Sequence, residues 1–211
     1  MSVQAAVLGF AVVALLLTVT PGLDTALVLR AAVTRGRRDA FATALGVVAG
    51  VLAWGAAAAV GVSALLTAST VAYDVLRLVG AGYLIWLGGR LLWRLVRHRA
   101  AAAAGSATAA PGGAWRSART GLLTNLLNPK VGAFYVAVLP QFLPADTPAL
   151  AMGVLLALVH AALSLVWFTV LVLGAVAARR LLQRPAVSRT VEGVTGVALL
   201  GYGLRLALPG G

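Results

Sequence analysis

Asp24 and Lys130 are the acidic and the basic residue that stand deep inside long apolar stretches of this 211-residue sequence. An ionised side chain in bilayer hydrocarbon costs about 3 kcal/mol on insertion scales unless it is paired or hydrated, so such residues mark sites. Each lies beside a helix-breaking proline: Thr20-Pro21-Gly22 precedes Asp24, and Asn128-Pro129 precedes Lys130. In both places a residue type that caps helix N-termini stands before a proline, which is the signature of a helix start. Each break therefore reads as a half-helix beginning inside the membrane, with backbone N–H groups and a dipole that attract anions. A cation at Lys130 is opposed by the dipole of its own half-helix, so stability alone would not place it there. Two half-helix N-termini plus an ammonium make a focus for a carboxylate. Asp24, one turn into the other half-helix, would take an ammonium group or a proton. The combination suits a zwitterionic α-amino acid.

Asn125 and Asn128 add amide donors and acceptors near the second break, Asn128 as an N-cap and Asn125 as either a ligand or interhelical glue. The candidate substrate-binding set is thus Lys130, Asp24, Asn125, Asn128, Thr20, Pro21, Gly22 and Pro129, with Asp24 the candidate proton carrier. Blander readings stay open: prolines that merely kink packed helices, and Asp24 and Lys130 paired with each other as a structural salt bridge.

The elements that must position these residues are helices in a bilayer. Of the chain, 61% is hydrophobic and 10% is charged, against about a quarter charged in soluble domains. A water-soluble globular enzyme and a disordered chain are both excluded. A spanning helix needs about 20 apolar residues, and six stretches qualify: 5–29, 40–67, 71–93, 120–143, 148–178 and 191–208. The first lacks a basic n-region and exceeds a signal peptide's apolar run, so it is expected to be retained. Residues 100–113 are a low-complexity Ala/Gly/Ser/Pro run, which reads as a flexible linker. The expected architecture is an all-α integral membrane protein with one transmembrane domain over 1–211. It comprises a three-helix half (1–99), a cytoplasmic linker (100–115) and a second three-helix half (116–211).

Charge gives the orientation. The formal net charge is +12, and 14 of the 17 basic residues fall after span one, around the linker, or between spans five and six. All three places lie on one side of a six-span chain. The positive-inside rule makes that side cytoplasmic and puts both termini outside. An odd number of spans per half inverts the second half relative to the first. Inverted repeats of this kind are typical of transporters, with sites at discontinuous helices near the midplane. Pro21 lies 9 residues from Arg30, and Pro129 lies 10 from Arg119. At a rise of 1.5 Å per residue these are depths of about 13.5 and 15 Å, near the middle of a core about 30 Å thick.

Other residues carry weaker signals. His160 stands mid-span and reads as a packed, hydrogen-bonded residue or a proton relay. Asp74 with Arg77 and Arg189 with Glu192 read as local or interfacial charges. Gly46 and Gly50 form a GxxxG pattern with Ala42 one turn earlier, which suggests close packing within the fold or, alternatively, a homo-oligomer. There is no cysteine, no phosphate loop and no H-E-x-x-H zinc motif, so no cofactor is expected. The basic charge is read as a topology signal, and nucleic acid is not an expected partner.

Thr20-Pro21-Gly22-Leu23-Asp24-Thr25 resembles the Pro-Gly-Pro-Asn/Asp motif in the first helix of the lysine exporter (LysE/RhtB) superfamily. Leu122 through Lys130, with Leu139-Pro140-Gln141-Phe142, is similar to its second motif, and Leu78 through Leu84 and Gly196 through Leu206 resemble its third and sixth helices. Leu23 departs from the pattern, where the family often has a second proline. The resemblance implies export of amino acids or close derivatives from the bacterial cytoplasm across the inner membrane, driven by the proton gradient. An inorganic ion exporter and a non-transporting membrane scaffold are the alternatives. A single deep carboxylate is a poor multi-oxygen cation site.

Overall fold

The computed structural model describes residues 1–68, 113–144, 146–175 and 185–207, with scattered positions between 75 and 93. All described regular structure is helical. The expected third span (71–93) and most of the linker lie largely outside the described residues.

Helix α1 (Val3–Val19) starts on Ser2, whose hydroxyl accepts the Ala5 N–H at 3.2 Å. It stops where the sequence requires, because the residue before a proline is pushed out of the helical region. Thr20 is extended, with φ −62° and ψ 121°. Helix α2 (Leu23–Thr34) resumes after Gly22, and the pair is bent by 54°. Gly36 then turns the chain with φ +90°, a conformation open to glycine and strained for other residues. Helix α3 (Arg37–Ala68) follows. In the second half, α4 (Ala114–Leu126) and α5 (Pro129–Val138) repeat the broken pattern with a bend of 53°, and α5 runs on into a 3-10 turn at Leu139–Phe142. Helices α6 (Ala149–Leu173) and α7 (Pro185–Ala207) complete the described chain. Helix α4 begins at Ala114, inside the stretch expected to be linker.

Residues Arg37–Gly61 and Ala149–Leu173 are each long and apolar enough to cross a membrane, and each bent pair would serve as a further span. Helix α6 shows why these helices need lipid rather than water. One face buries Leu156, His160, Phe168 and Leu171, while the other exposes Leu158, Val166, Val170 and Leu173. A helix apolar on every face has no side suited to solvent.

The helices pack through small residues. A Cβ on Gly46 would stand 1.9 Å from the Ala118 carbonyl oxygen, and one on Gly121 would stand 2.1 Å from that of Thr43. Helices α3 and α4 therefore meet backbone to backbone. Between α3 and α6, Gly55 gives room to the Cβ of Ala157 and Gly153 to the Cβ of Ala59. Of the two readings of the GxxxG pattern, these contacts place Gly46 and Gly50 against α4 of the same chain. This is the close approach that membrane helices use in place of a hydrophobic driving force.

Candidate functional site

The two breaks differ in how they are built. At the second, Asn128 is the N-cap, its Oδ1 accepting the Lys130 N–H at 3.1 Å, and Pro129 is the first helical residue, as the sequence leads one to expect. At the first, the expected cap does not form. Thr20 donates its hydroxyl back to the Leu16 carbonyl at 2.6 Å and closes α1. The N-cap of α2 is Gly22, two residues later, with no side-chain bond. Its carbonyl takes the Ala26 N–H at 2.9 Å. A threonine that can bond back one turn finds an acceptor in the helix that precedes it, so its hydroxyl is spent there.

Each break is completed by the other. In an α-helix the Leu17 carbonyl would accept the N–H of residue 21, but Pro21 has none. Lys130 fills the gap from 113 residues away: its Nζ donates to the Leu17 oxygen at 2.8 Å and to the Thr20 oxygen at 3.1 Å. The ammonium thus sits at the C-terminal end of α1, where the dipole and bare carbonyls favour a cation. This corrects the expectation that Lys130 stands against a dipole. Its backbone begins α5, but its charge belongs to the end of α1.

Asp24 answers from the other side. In the first turn of α2, its Oδ2 accepts Nδ2 of Asn125 at 2.9 Å and Nδ2 of Asn128 at 3.0 Å. Asn128 therefore caps α5 with one end of its amide and holds Asp24 with the other. The structure shows no ion pair between Asp24 and Lys130; each charge is satisfied by uncharged groups of the opposite break. Two acceptors remain over. Among the described residues, Asp24 Oδ1 and Asn125 Oδ1 are buried without a hydrogen-bond partner, a costly state that a donor from a bound molecule or a proton would relieve.

Both residues line a cleft with about 390 Å³ of space between atoms, its open side included. Lys130, Asn128, Thr20 and Gly22 line it as well. Pro21 and Pro129 are not in its wall and act by setting the breaks. A Cβ on Gly22 would lie 3.7 Å from Lys130 Nζ, so a larger side chain there would crowd the ammonium. Asn125 is placed by neighbours on α3. A Cβ on Gly50 would come within 2.6 Å of its Oδ1, and Trp54 Nε1 donates to its backbone carbonyl at 3.4 Å.

Four of the cleft's polar residues lie outside the candidate set drawn from the sequence: Thr18, Thr25, Ser164 and His160, of which His160 alone was weighed there, as a packed residue or a proton relay. His160 is fully engaged, with Nδ1 3.0 Å from the Tyr135 hydroxyl and Nε2 3.1 Å from Thr18 Oγ1. The available signal was polarity alone, because Thr18, Ser164 and His160 interrupt otherwise apolar spans. Among the described residues, no group of three or more His, Cys, Asp and Glu could hold a metal ion.

Apolar helices of spanning length, two of them broken and braced against each other around a polar cleft, define a helical membrane protein. The LysE type translocator family model matches residues 15–210, and the chain belongs to that family. It is 30% identical to a leucine efflux protein of Enterobacter sp. (strain 638), with 94% of this chain and 93% of that protein covered. It is 31% identical to a leucine efflux protein of Klebsiella pneumoniae, covering 95% and 93%. It is also 30% identical to a threonine efflux protein of Salmonella typhi, covering 94% and 95%. No solved structure matches.

Proposed function

We propose that this protein is a secondary transporter that exports amino acids or close derivatives from the cytoplasm, coupled to the proton gradient. It would lie in the bacterial inner membrane as six spans in two inverted halves, with both termini outside. The observation that carries the reading is the pair of buried oxygens on Asp24 and Asn125 that have no partner among the described residues, beside a lysine held by backbone carbonyls. Asp24 Oδ1 and Asn125 Oδ1 are acceptors for an α-ammonium group. The Lys130 ammonium can exchange its two carbonyls for the stronger charge-assisted bond to an α-carboxylate. Asp24 without substrate is the place for the coupling proton.

Because Lys130 closes α1 and Asp24 ties α2 to the second break, substrate taking over either group loosens the brace between the halves. That links occupancy to the rearrangement that alternating access needs. The relatives named as leucine and threonine efflux proteins support the substrate class and the outward direction. The test is counterflow in proteoliposomes against a panel of labelled amino acids, with and without a pH gradient. Exchange of at least one amino acid, accelerated by an appropriate gradient, is expected. Absence of exchange across the panel would sink the reading.

A further inference from the structure

The polar chain behind the cleft has every hydrogen accounted for. Thr18 donates its hydroxyl to the Ala14 carbonyl at 2.7 Å, so its oxygen can only accept from His160. Nε2 of His160 therefore carries a hydrogen and gives it to Thr18 at 3.1 Å. The Tyr135 hydroxyl is fully buried, and its hydrogen bond in the described structure is to His160 Nδ1 at 3.0 Å. A buried hydroxyl hydrogen needs an acceptor, so Tyr135 donates and Nδ1 accepts. One ring nitrogen donating and the other accepting is a neutral imidazole in the Nε2–H form. The ring is locked further by Phe10 and Phe134, at 6.4 and 5.5 Å between centroids.

A side chain so engaged offers the cleft carbon rather than charge or a spare hydrogen-bonding group. Most of the neighbouring wall is apolar: Leu17, Val47, Val51, Val131 and Phe168 line the same space, with the hydroxyls of Ser164 and Thr25 the further polar groups and neither of them charged. Among the residues lining the cleft, the charges are those of Asp24 and Lys130, which the proposed function already assigns to the two ends of an amino acid's backbone.

We propose that the Thr18–His160–Tyr135 chain, with the apolar wall beside it, is the side-chain-reading part of the site and selects amino acids with neutral, apolar side chains. This rests on the transporter reading above. A cationic or anionic side chain meets no counter-charge there, whereas an aliphatic one meets carbon. His160 is the residue in contact with substrate. Thr18 and Tyr135 are positioning residues that keep the ring neutral and its hydrogens spent.

The test is counterflow with labelled leucine, threonine, lysine and glutamate in proteoliposomes holding the wild type, Thr18→Val or Thr18→Ser. The wild type should prefer leucine over lysine and glutamate by at least about 100-fold, the scale set by desolvating an unpaired charge. Thr18→Val removes the acceptor of the His160 Nε2–H and leaves a spare donor facing the substrate. It should move the leucine-to-threonine ratio toward threonine by about tenfold, the scale of one gained hydrogen bond. Thr18→Ser keeps the acceptor and should keep the wild-type ratio. A ratio rather than a rate is read, so a poorly folded variant does not mimic the result. Wild-type exchange of lysine or glutamate on a par with leucine overturns the selection while leaving amino-acid transport standing, and so does an unchanged ratio in Thr18→Val. No exchange of any amino acid removes the transporter reading itself.

Discussion

Lys130 supplies the hydrogen bond that Pro21 withholds. Its Nζ is 2.8 Å from the Leu17 carbonyl oxygen, which in an unbroken helix would belong to the backbone N–H at position 21. A proline in one half and a lysine in the other thus make a single junction, and two variants read it separately. Lys130→Ala leaves the Leu17 and Thr20 carbonyls without the ammonium and should lower stability by about 1–3 kcal/mol, with counterflow lost. Pro21→Ala in that background restores an N–H for Leu17 and should recover part of the stability but none of the transport. Thermal unfolding in detergent and counterflow on the same three preparations check this. Equal stability of the single and double variants would show that the lysine does not complete α1.

The carboxylate of Asp24 can be separated from its charge. In Asp24→Asn a carbonyl oxygen still accepts from Asn125 and Asn128, so melting temperature should stay close to wild type while counterflow disappears. Asp24→Ala strands both amide donors and should cost about 1–3 kcal/mol for each one left buried and unsatisfied. Substantial counterflow by Asp24→Asn would remove Asp24 from the transport step.

Gly50 keeps room for Asn125. A Cβ at position 50 would lie 2.6 Å from Asn125 Oδ1 and 2.8 Å from its Cβ, too close for the present arrangement. Gly50→Ala should shift the Asn125 amide away from Asp24 and slow counterflow by at least about tenfold, the scale of a misplaced site group. Gly61→Ala is the control on the same helix, because a Cβ there meets nothing within 4 Å. Its counterflow should match wild type.

What the sequence made legible was local. Asn128-Pro129 carries a helix-start signal in its residue types alone, and the structure keeps both roles. The place of the two breaks in the chain followed from the prolines, and both helix pairs bend there. Thr20 was harder, because a threonine before a proline can cap the coming helix or bond back to the departing one, and Leu16 won. The reach of Lys130 could not be read at all. Its backbone position argued against a favourable dipole, and only tertiary packing brings the flexible stem to the end of another helix. The same holds for the bonds of His160 to Tyr135 and Thr18, which join residues 25 and 142 positions apart. GxxxG announced close packing but not the partner, which the contact of Gly46 with Ala118 supplies.

The brace also sets a schedule. Asp24 finds its nearer amide partner 101 residues downstream. At about 5–20 residues per second, the ribosome takes about 5 to 20 s to make that stretch. For that interval the newly made first half carries a carboxylate with none of its final partners. The Asp24 carboxylate thus reaches the amides that hold it only once the chain around the second break has been made.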